Sequence, residues 1–475
     1  MPAVVPTPRF ECFYGGGGHA TTGRQPEGEN LMSTAPNPLL EEFIQHEDGL
    51  RAVDRRIFAD PELFELEQSQ IWEKVWVYVA HESQLPKPKD YLTSWIGRAP
   101  IVVNRDKSGQ FNAFVNICSH RGATLCRTSK GSASNFVCSF HGWAFDAQGN
   151  LLAAMNEKGA GYPEGFDKSK RGLTKVRLEN YRGFLFATLN QQAEPLQDYL
   201  AESKVFIDIV VDQSPQGIEV LKGRSVYTFN GNWKLQAENG VDAYHVDSVH
   251  ANYVQMIQNR AKINAAGKPL KVLAVGDYNL NATGYYDLGN GHTVIWTQMT
   301  NPQDRPVYAQ REELAERMGQ VKADWAVNRA RNLLLYPNVF LMDQMGTQIR
   351  MFRPLSVDKT EVTIYCFAPV GETPVERAKR IRQYEDFFNA SGMATSDDLT
   401  EFNESQKGCS NYSVMRWSDM SRGASHEIAG PDELAAGLGI APTTSGAKAA
   451  DEGIFIAQHQ RWAELMKTPT TGDKS

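Results

Sequence analysis

Cys118-Ser119-His120 and, seventeen residues further on, Cys138-Ser139-Phe140-His141 form the pattern C-x-H-x17-C-x2-H. Each pair stands between short apolar runs cut by Gly, Asn and Asp. Examples are Ile101-Val102-Val103, Phe111 to Val115, Phe136-Val137 and Phe184-Leu185-Phe186, with a turn signal at Gln148-Gly149-Asn150. From about Tyr78 to Asn190 that texture predicts a small antiparallel β domain whose hairpins project two loops toward one site. Two thiolates with two imidazoles admit a structural zinc or a Rieske [2Fe–2S] cluster. The order favours the cluster: zinc fingers usually pair Cys with Cys and His with His locally, whereas each loop here offers one of each. Two imidazole ligands put such a cluster at roughly −150 to +300 mV, against about −400 mV for plant-type ferredoxins. It is an electron relay and not itself a catalyst. Trp143 and Arg121 either pack around it or serve as ordinary core and surface residues.

The surrounding composition narrows the class. Of 475 residues, 41% are hydrophobic and 22% charged, and 49 basic against 56 acidic residues leave a net charge of −7. A basic field for nucleic acid or anionic membrane is not indicated, and no run approaches the ~20 apolar residues of a membrane helix. Six cysteines, at positions 12, 118, 126, 138, 366 and 409, are too few for a disulfide framework. Without a signal-peptide pattern, a cytoplasmic protein with reduced thiols is expected. The first 31 residues, with Gly15 to Gly18 and several prolines, read as disordered, and Met32 is a plausible start. The expected organisation is a disordered extension over 1–50, then an N-terminal helix belonging to the catalytic domain over 51–77, opened by Asp60-Pro61-Glu62. Residues 78–195 form the cluster domain, 196–467 the catalytic domain and 468–475 a disordered tail.

A second constellation follows in Asn232-Trp233-Lys234-Leu235-Gln236-Ala237-Glu238-Asn239-Gly240-Val241-Asp242-Ala243-Tyr244-His245, and then His250. On a helix at about 100° per residue, Asp242 and His245 lie about 60° apart on one face. His245 and His250 are about 140° apart, so the helix must end or distort between them if both are to meet one ion. Two His with a distant carboxylate make the facial triad that leaves positions open on non-haem Fe(II). A His pair in such a segment is more often structural, but a relay needs a terminal acceptor, which favours iron. The best carboxylate is in Asp397-Asp398. It follows a helix predicted from the cap signal Thr373-Pro374-Val375-Glu376 to about Phe388. The alternative for this acid pair is to cap a helix over Leu399 to Gln406. Strands are predicted at Ser225 to Phe229, Thr293 to Met299, Asn338 to Met342, Gln348 to Phe352 and Glu361 to Ala368, and a helix at Ala323 to Leu334. This alternation implies an α+β domain with helices covering one face of an antiparallel sheet.

From about Arg51 to Lys467 the chain resembles the large (alpha) subunit of the Rieske-type aromatic-ring-hydroxylating dioxygenases, in the benzoate/toluate, 2-halobenzoate and anthranilate 1,2-dioxygenase branch. The likeness rests on Cys118 to Ala123, Cys138 to Trp143, Gly231 to His250, Leu335 to Pro354 and Arg380 to Asp398. It implies a helix-grip (START-like) catalytic domain. It also implies one cluster iron on Cys118 and Cys138, the other on His120 and His141, and a mononuclear Fe(II) on His245, His250 and Asp398. Asp242 would link a cluster His of one protomer to His245 of the next. The resemblance further implies a trimer of this subunit, usually with three small beta subunits, and electrons from NADH through a ferredoxin-type flavin reductase. The reaction it implies is 1,2-dihydroxylation of a benzoate-like acid by O₂ to a cis-diol. The alternatives are salicylate 1-hydroxylation to catechol, anthranilate or aniline dioxygenation, or a non-catalytic Rieske electron-transfer protein. The chain departs from the family at Ser139, Ala243, Asp247, Ala251 and Ser396, which bears on substrate rather than metals. A carboxylate in an apolar pocket needs a partner. Arg350 and Arg353, three apart on a predicted strand, point to opposite faces, and Arg350 is the candidate anchor.

Overall fold

Asp48 and Gly49 both take positive φ, 50° and 81°, which a two-residue hairpin turn requires. They join strand Ile44–Glu47 to strand Leu50–Asp54, whose other edge pairs with Trp417–Asp419. The structure is a computed structural model that describes residues 42–253, 255–256, 259, 282–344 and 346–467. The expectation of disorder through residue 50 therefore fails for residues 44–50: the Asp-Gly turn closes a hairpin beside buried Phe43 and Val53. Residues 1–41 and 468–475 lie outside the described residues. Asp60 then caps helix α1, Pro61–Glu67, accepting from the amides of Glu62 at 2.8 Å and Leu63 at 3.3 Å. Pro61 fills the first helical position, where no amide partner exists.

The next stretch folds into two antiparallel sheets. Seven strands lie in the order Val77–His81, Phe184–Thr188, Lys175–Tyr181, Phe111–Val115, Ala99–Arg105, Asp90–Ile96 and Lys130–Ser132. Three short strands, Phe136–Val137, Ala144–Phe145 and Leu151–Ala153, make the second sheet. Phe114, Phe136, Phe145 and Leu151 fill a core of their own beneath the two Cys-His loops. Asn338 fastens this part to the rest by exchanging two hydrogen bonds with the Tyr78 backbone, at 3.0 and 2.9 Å.

A ten-stranded antiparallel sheet dominates the remainder. Its strands are β1 (Ile218–Val220), β2 (Ser225–Phe229), β3 (Thr283–Asp287), β4 (Thr293–Gln298), β5 (Arg329–Leu335), β6 (Val339–Asp343), β7 (Thr347–Ser356), β8 (Lys359–Pro369), β9 (Ile428–Ala429) and β10 (Thr444–Gly446). Their order is β1-β8-β7-β6-β5-β4-β3-β10-β9, with β2 also on β8. The helices that matter for the site are α2 (Trp233–Asn239), α3 (Val246–Val249), α4 (Gln320–Asn328), α5 (Pro374–Phe387), α6 (Thr395–Cys409) and α7 (Gly453–Lys467). Helices α2 and α5 lie against β7, and α7 against β3 and β4. This is the α+β layering that the alternation of elements implies. One element differs. Ala323 to Leu334 is not a single helix: α4 stops at Asn328 and Arg329–Leu335 is a strand paired on both edges. Leu333-Leu334-Leu335 fits a helix or a buried central strand equally well, and pairing with β4 and β6 decides for the strand.

Glu67, fully buried at the end of α1, joins three elements. Its carboxylate accepts from Trp233 Nε1 at 2.8 Å, Trp462 Nε1 at 2.7 Å and the Lys234 ammonium. Burial pulls the Lys234 pKa down and the Glu67 charge opposes that pull. The acid thus holds α2, which leads into the His residues, against α7 at the far end of the chain. Removing it leaves a buried ammonium unpaired, at a cost of about 3–5 kcal/mol. Glu67→Ala is expected to lower the thermal midpoint by at least about 6 °C, as read by calorimetry; an unchanged midpoint contradicts this role.

Candidate metal centres

The two Cys-His loops share one backbone plan. The Cys118 amide donates to the Ala123 carbonyl at 2.8 Å and the Gly122 amide to the Cys118 carbonyl at 2.9 Å. In the second loop Cys138 and Trp143, then Gly142 and Cys138, repeat these bonds at 2.8 and 2.9 Å. Gly122 and Gly142 close the loops with φ of 73° and 66°, a left-handed conformation that side chains disfavour. Both thiols are free and buried. Burial raises the Cys118 pKa, and the neighbouring Cys138 thiol pushes the same way. The imidazoles lie nearer solvent, with the His120 and His141 ring centres 4.6 Å apart. The Trp143 ring stacks on His120 at 4.6 Å and 9°, and the Arg121 guanidinium lies 5.4 Å over Phe140. A lone tetrahedral ion would need its donors within about 4 Å of one another, given ligand bonds of about 2.0–2.3 Å. Among the described residues, three such donors within 4.8 Å occur elsewhere, at His245, His250 and Asp398, and not in these loops. Two buried sulfurs below and two imidazoles above suit two irons.

The second site forms where α2 ends. The helix stops at Asn239, before Asp242, so Asp242 and His245 do not share a helical face; the break comes earlier than the expected one between the two His. Gly240 follows, packed so closely on the sheet that a Cβ there would lie 2.3 Å from the Phe340 ring. His245 and His250 then flank the single turn α3, and their Nε2 atoms meet at 3.2 Å. Asp398 arrives from the first turn of α6, whose cap is Ala394 and not the acid pair. Its Oδ1 lies 3.4 Å from His245 Nε2 and 3.2 Å from His250 Nε2. Asp398 is buried whereas Asp397 is half-buried, which separates the two acids. Three donors bound at about 2.0–2.2 Å around one ion stand about 2.8–3.6 Å apart for angles between octahedral and tetrahedral, so the set fits a mononuclear ion with positions left open. Asp242 Oδ2 lies 3.0 Å from His245 Nδ1 and its Oδ1 accepts from the Tyr244 amide at 2.6 Å. The carboxylate thus lies on the Nδ1 side of the ring, while Nε2 faces the centre.

These distances coincide with matches to known proteins. Residues 75–163 match the Rieske [2Fe-2S] domain, and residues 219–463 the ring hydroxylating alpha subunit (catalytic domain). The chain is 50% identical over 430 residues to the toluate 1,2-dioxygenase alpha subunit of Pseudomonas putida, covering 90% of this chain and 93% of that one. The chain belongs to the ring-hydroxylating dioxygenase alpha subunits. It is also 50% identical over 437 residues to the 2-halobenzoate 1,2-dioxygenase large subunit of Burkholderia cepacia, covering 91% and 93%. A naphthalene 1,2-dioxygenase structure with indole in its active site matches with a TM-score of 0.77 at 26% identity, over 90% of this chain and 95% of that one. The alpha subunit thus carries a Rieske [2Fe–2S] domain and a catalytic domain with a mononuclear iron site.

Around the triad the alpha subunit has a cavity lined by Ile295, Asn332, Met342, Arg350, Phe387 and Phe388. Arg350 is 2% exposed, and its Nε and Nη2 have no hydrogen-bond partner among the described residues. The Phe388 ring lies 5.4 Å from its guanidinium. Arg353 faces away, 3.9 Å over Trp95 and bonded to Glu361 at 2.8 Å, as the strand alternation requires. Two polar residues at the site escape sequence reasoning. Asn239 donates to Asp398 Oδ1 at 3.2 Å and lies 3.4 Å from His245 Nε2, but Asn-Gly at a helix end reads only as a stop signal. Asn332 sits in an apolar strand with no local motif.

The electrostatics favour a cation. Burial alone would lower the His245 pKa, but Asp242 and Asp398 outweigh it and raise it to about 10. Burial would raise Asp398, yet its hydrogen bonds to His245 and His250 hold it far below the usual carboxylate range. In the metal-free chain the His245 proton occupies the place a metal takes, and it must leave on binding. Below pH 10 Fe(II) affinity therefore climbs with pH, by about tenfold per unit between pH 6 and 8. Anaerobic calorimetric titration at pH 6, 7 and 8 checks this, and a pH-independent affinity contradicts it.

Proposed function

We propose that this alpha subunit adds both atoms of O₂ to the ring of a benzoate-like acid, at the carboxyl-bearing carbon and its neighbour. The observation that carries this reading is the buried guanidinium of Arg350, which shares the cavity of the triad and whose Nε and Nη2 have no hydrogen-bond partner among the described residues. A buried unpaired charge is costly, and a substrate carboxylate would satisfy it bidentately. The names of the relatives, toluate and 2-halobenzoate 1,2-dioxygenases, point to the same substrate class.

In this reading Cys118 and Cys138 hold one cluster iron and His120 and His141 the other, while His245, His250 and Asp398 hold the mononuclear iron. That iron, when bound, supplies the activation of O₂; overall the ring, O₂, two electrons and two protons give a cis-diol, and NADH leaves as NAD⁺. Arg350 orients the acid so that the carboxyl-bearing carbon faces the triad. Phe387, Phe388 and Ile295 exclude water from the ring. Asp242 keeps His245 in the ligating tautomer and links it to the cluster. Asp242 and the cluster imidazoles all approach the surface, where Val137, Phe140, Met155 and Tyr244 are exposed. Apolar side chains at both places support a threefold assembly in which a neighbouring copy covers them, with small beta subunits and a separate NADH-dependent flavin reductase. Among the described residues no helix is long and apolar enough to cross a membrane, and the free thiols suit the cytoplasm. A pure electron-transfer role would leave the triad and the Arg350 cavity without a use.

Two experiments test this. Arg350→Met is expected to raise the KM for benzoate by about 30-fold or more, the cost of truncating one partner of a buried charge pair, with iron content unchanged; an unaltered KM removes the anchor. His141→Ala and His250→Ala protomers, each inactive alone, are expected to recover NADH-dependent O₂ uptake when co-assembled. A mixture that stays inactive would mean that electrons pass within one chain.

A further inference from the structure

Arg350 is not the only idle polar group in the cavity. Asn332 lies on β5, in a transverse row with Ile295 of β4 and Met342 of β6. Arg350 lies in the parallel row two residues along, opposite Phe340. The two-residue step keeps both rows on one face of the sheet. Asn332 Nδ2 donates to the Gly240 carbonyl at 2.9 Å and to Gln344 Oε1 at 3.2 Å. Turning the amide over would set its oxygen against those two acceptors, so its orientation is fixed by its neighbours. Its Oδ1 is therefore turned away from those two groups; it is buried without a hydrogen-bond partner among the described residues, and the residue lines the triad cavity. The residue is 6% exposed. Buried side-chain acceptors normally have partners, and one left open in a substrate cavity is a place for a ligand's donor.

We propose that Asn332 Oδ1 accepts a hydrogen bond from an amino or hydroxyl substituent on the ring, so that the preferred substrates are aminobenzoates or hydroxybenzoates. This rests on the reading of Arg350 as the carboxylate anchor and adds the second polar contact. Two strand spacings across and two residues along separate the Asn332 and Arg350 backbones by about 12 Å, and with both side chains reaching into the cavity one substituted aromatic acid bridges the gap. Of the other lining residues, Ile295, Met342, Phe387 and Phe388 are apolar, while Asn239 is bonded to Asp398 and Gln344 to Asn332 itself. An amino and a methyl group are close in size and differ in the donor. A methyl or halogen in that place leaves Oδ1 unpaired and displaces any water that would satisfy it. Sites that hydrogen-bond a substituent discriminate against the analogue that lacks it far more strongly than apolar pockets discriminate by size. Asn332 is thus a specificity-determining residue that neither touches the metals nor moves a proton.

The test uses the full chain, loaded with its metals and co-expressed with the beta subunit. Amino- and methylbenzoates are compared at the 2, 3 and 4 positions, by kcat/KM and by anaerobic calorimetric Kd. At one ring position the amino compound is expected to exceed its methyl partner by at least about tenfold in both readouts, and Asn332→Leu to bring that ratio within about twofold. If Asn332→Leu fails to fold, the wild-type pairs decide alone. Equal values for amino and methyl compounds at every position, alongside a KM that still responds to Arg350→Met, overturn the Asn332 proposal and leave the anchor standing. If no aromatic acid binds or turns over, the anchor and the Asn332 contact both fall.

Discussion

Two imidazole nitrogens and a carboxylate oxygen meet within 3.2 to 3.4 Å in a nearly closed space. The local architecture of the second domain follows from that convergence. Neither a regular helix nor a strand brings His245 and His250 together with an acid almost 150 positions away. Helix α2 must therefore end at Asn239, with Gly240 pressed against Phe340 where a Cβ would not fit. Helix α6 must start so that Asp398 lies in its first turn, where the helix dipole favours a carboxylate. Against burial, Asp242 and Asp398 raise the His245 pKa, and the two imidazoles lower that of Asp398, so the cluster of donors favours positive charge at its centre. The same constraint explains the buried staple at Glu67: α2 carries the approach to the ligands, and a loose α2 would spoil the geometry.

Legibility from the sequence tracked the range of the interactions involved. The cluster domain is legible because each loop is a six-residue unit that pairs a Cys with a His and turns on a Gly, and residues 75–163 match the Rieske domain. The distant carboxylate could be narrowed only to Asp397-Asp398, because choosing between adjacent residues requires knowing which helical face looks inward. The helix expected across Ala323 to Leu334 failed at Arg329 for a related reason: an apolar run fits two periods, and neighbouring strands decide. The hairpin at residues 44–54 was missed although Asp48-Gly49 is a strong local turn signal; the weak composition around it masked the turn. Asn239 and Asn332 carry no signature in one dimension. Their roles come from a carboxylate and a carbonyl that the fold delivers.

The two halves of the chain divide the labour along lines that their packing makes plain. The cluster loops keep sulfur buried and imidazole outward, so the redox centre is insulated on one side and open on the other. The mononuclear site is the reverse, with its donors enclosed and Asp242 reaching toward the surface. Between the triad and the sheet lies a cavity of mixed lining whose floor is set by strand register, because Asn332, Met342 and Arg350 face it through pairing alone. A one-residue slip in β5 to β7 would turn all three away. Substrate choice is written in the sheet, while metal chemistry is written in the loops and helix ends that overlie it.

The proposed link between cluster and triad is Asp242, whose Oδ2 lies 3.0 Å from His245 Nδ1. The most direct measurement is the reoxidation of a chemically reduced cluster after mixing with O₂ and substrate, in wild type and in Asp242→Ala at matched iron and sulfide content. The account predicts a rate about 10–100-fold slower in the variant, with an unaltered cluster spectrum. Reoxidation at the wild-type rate would contradict it.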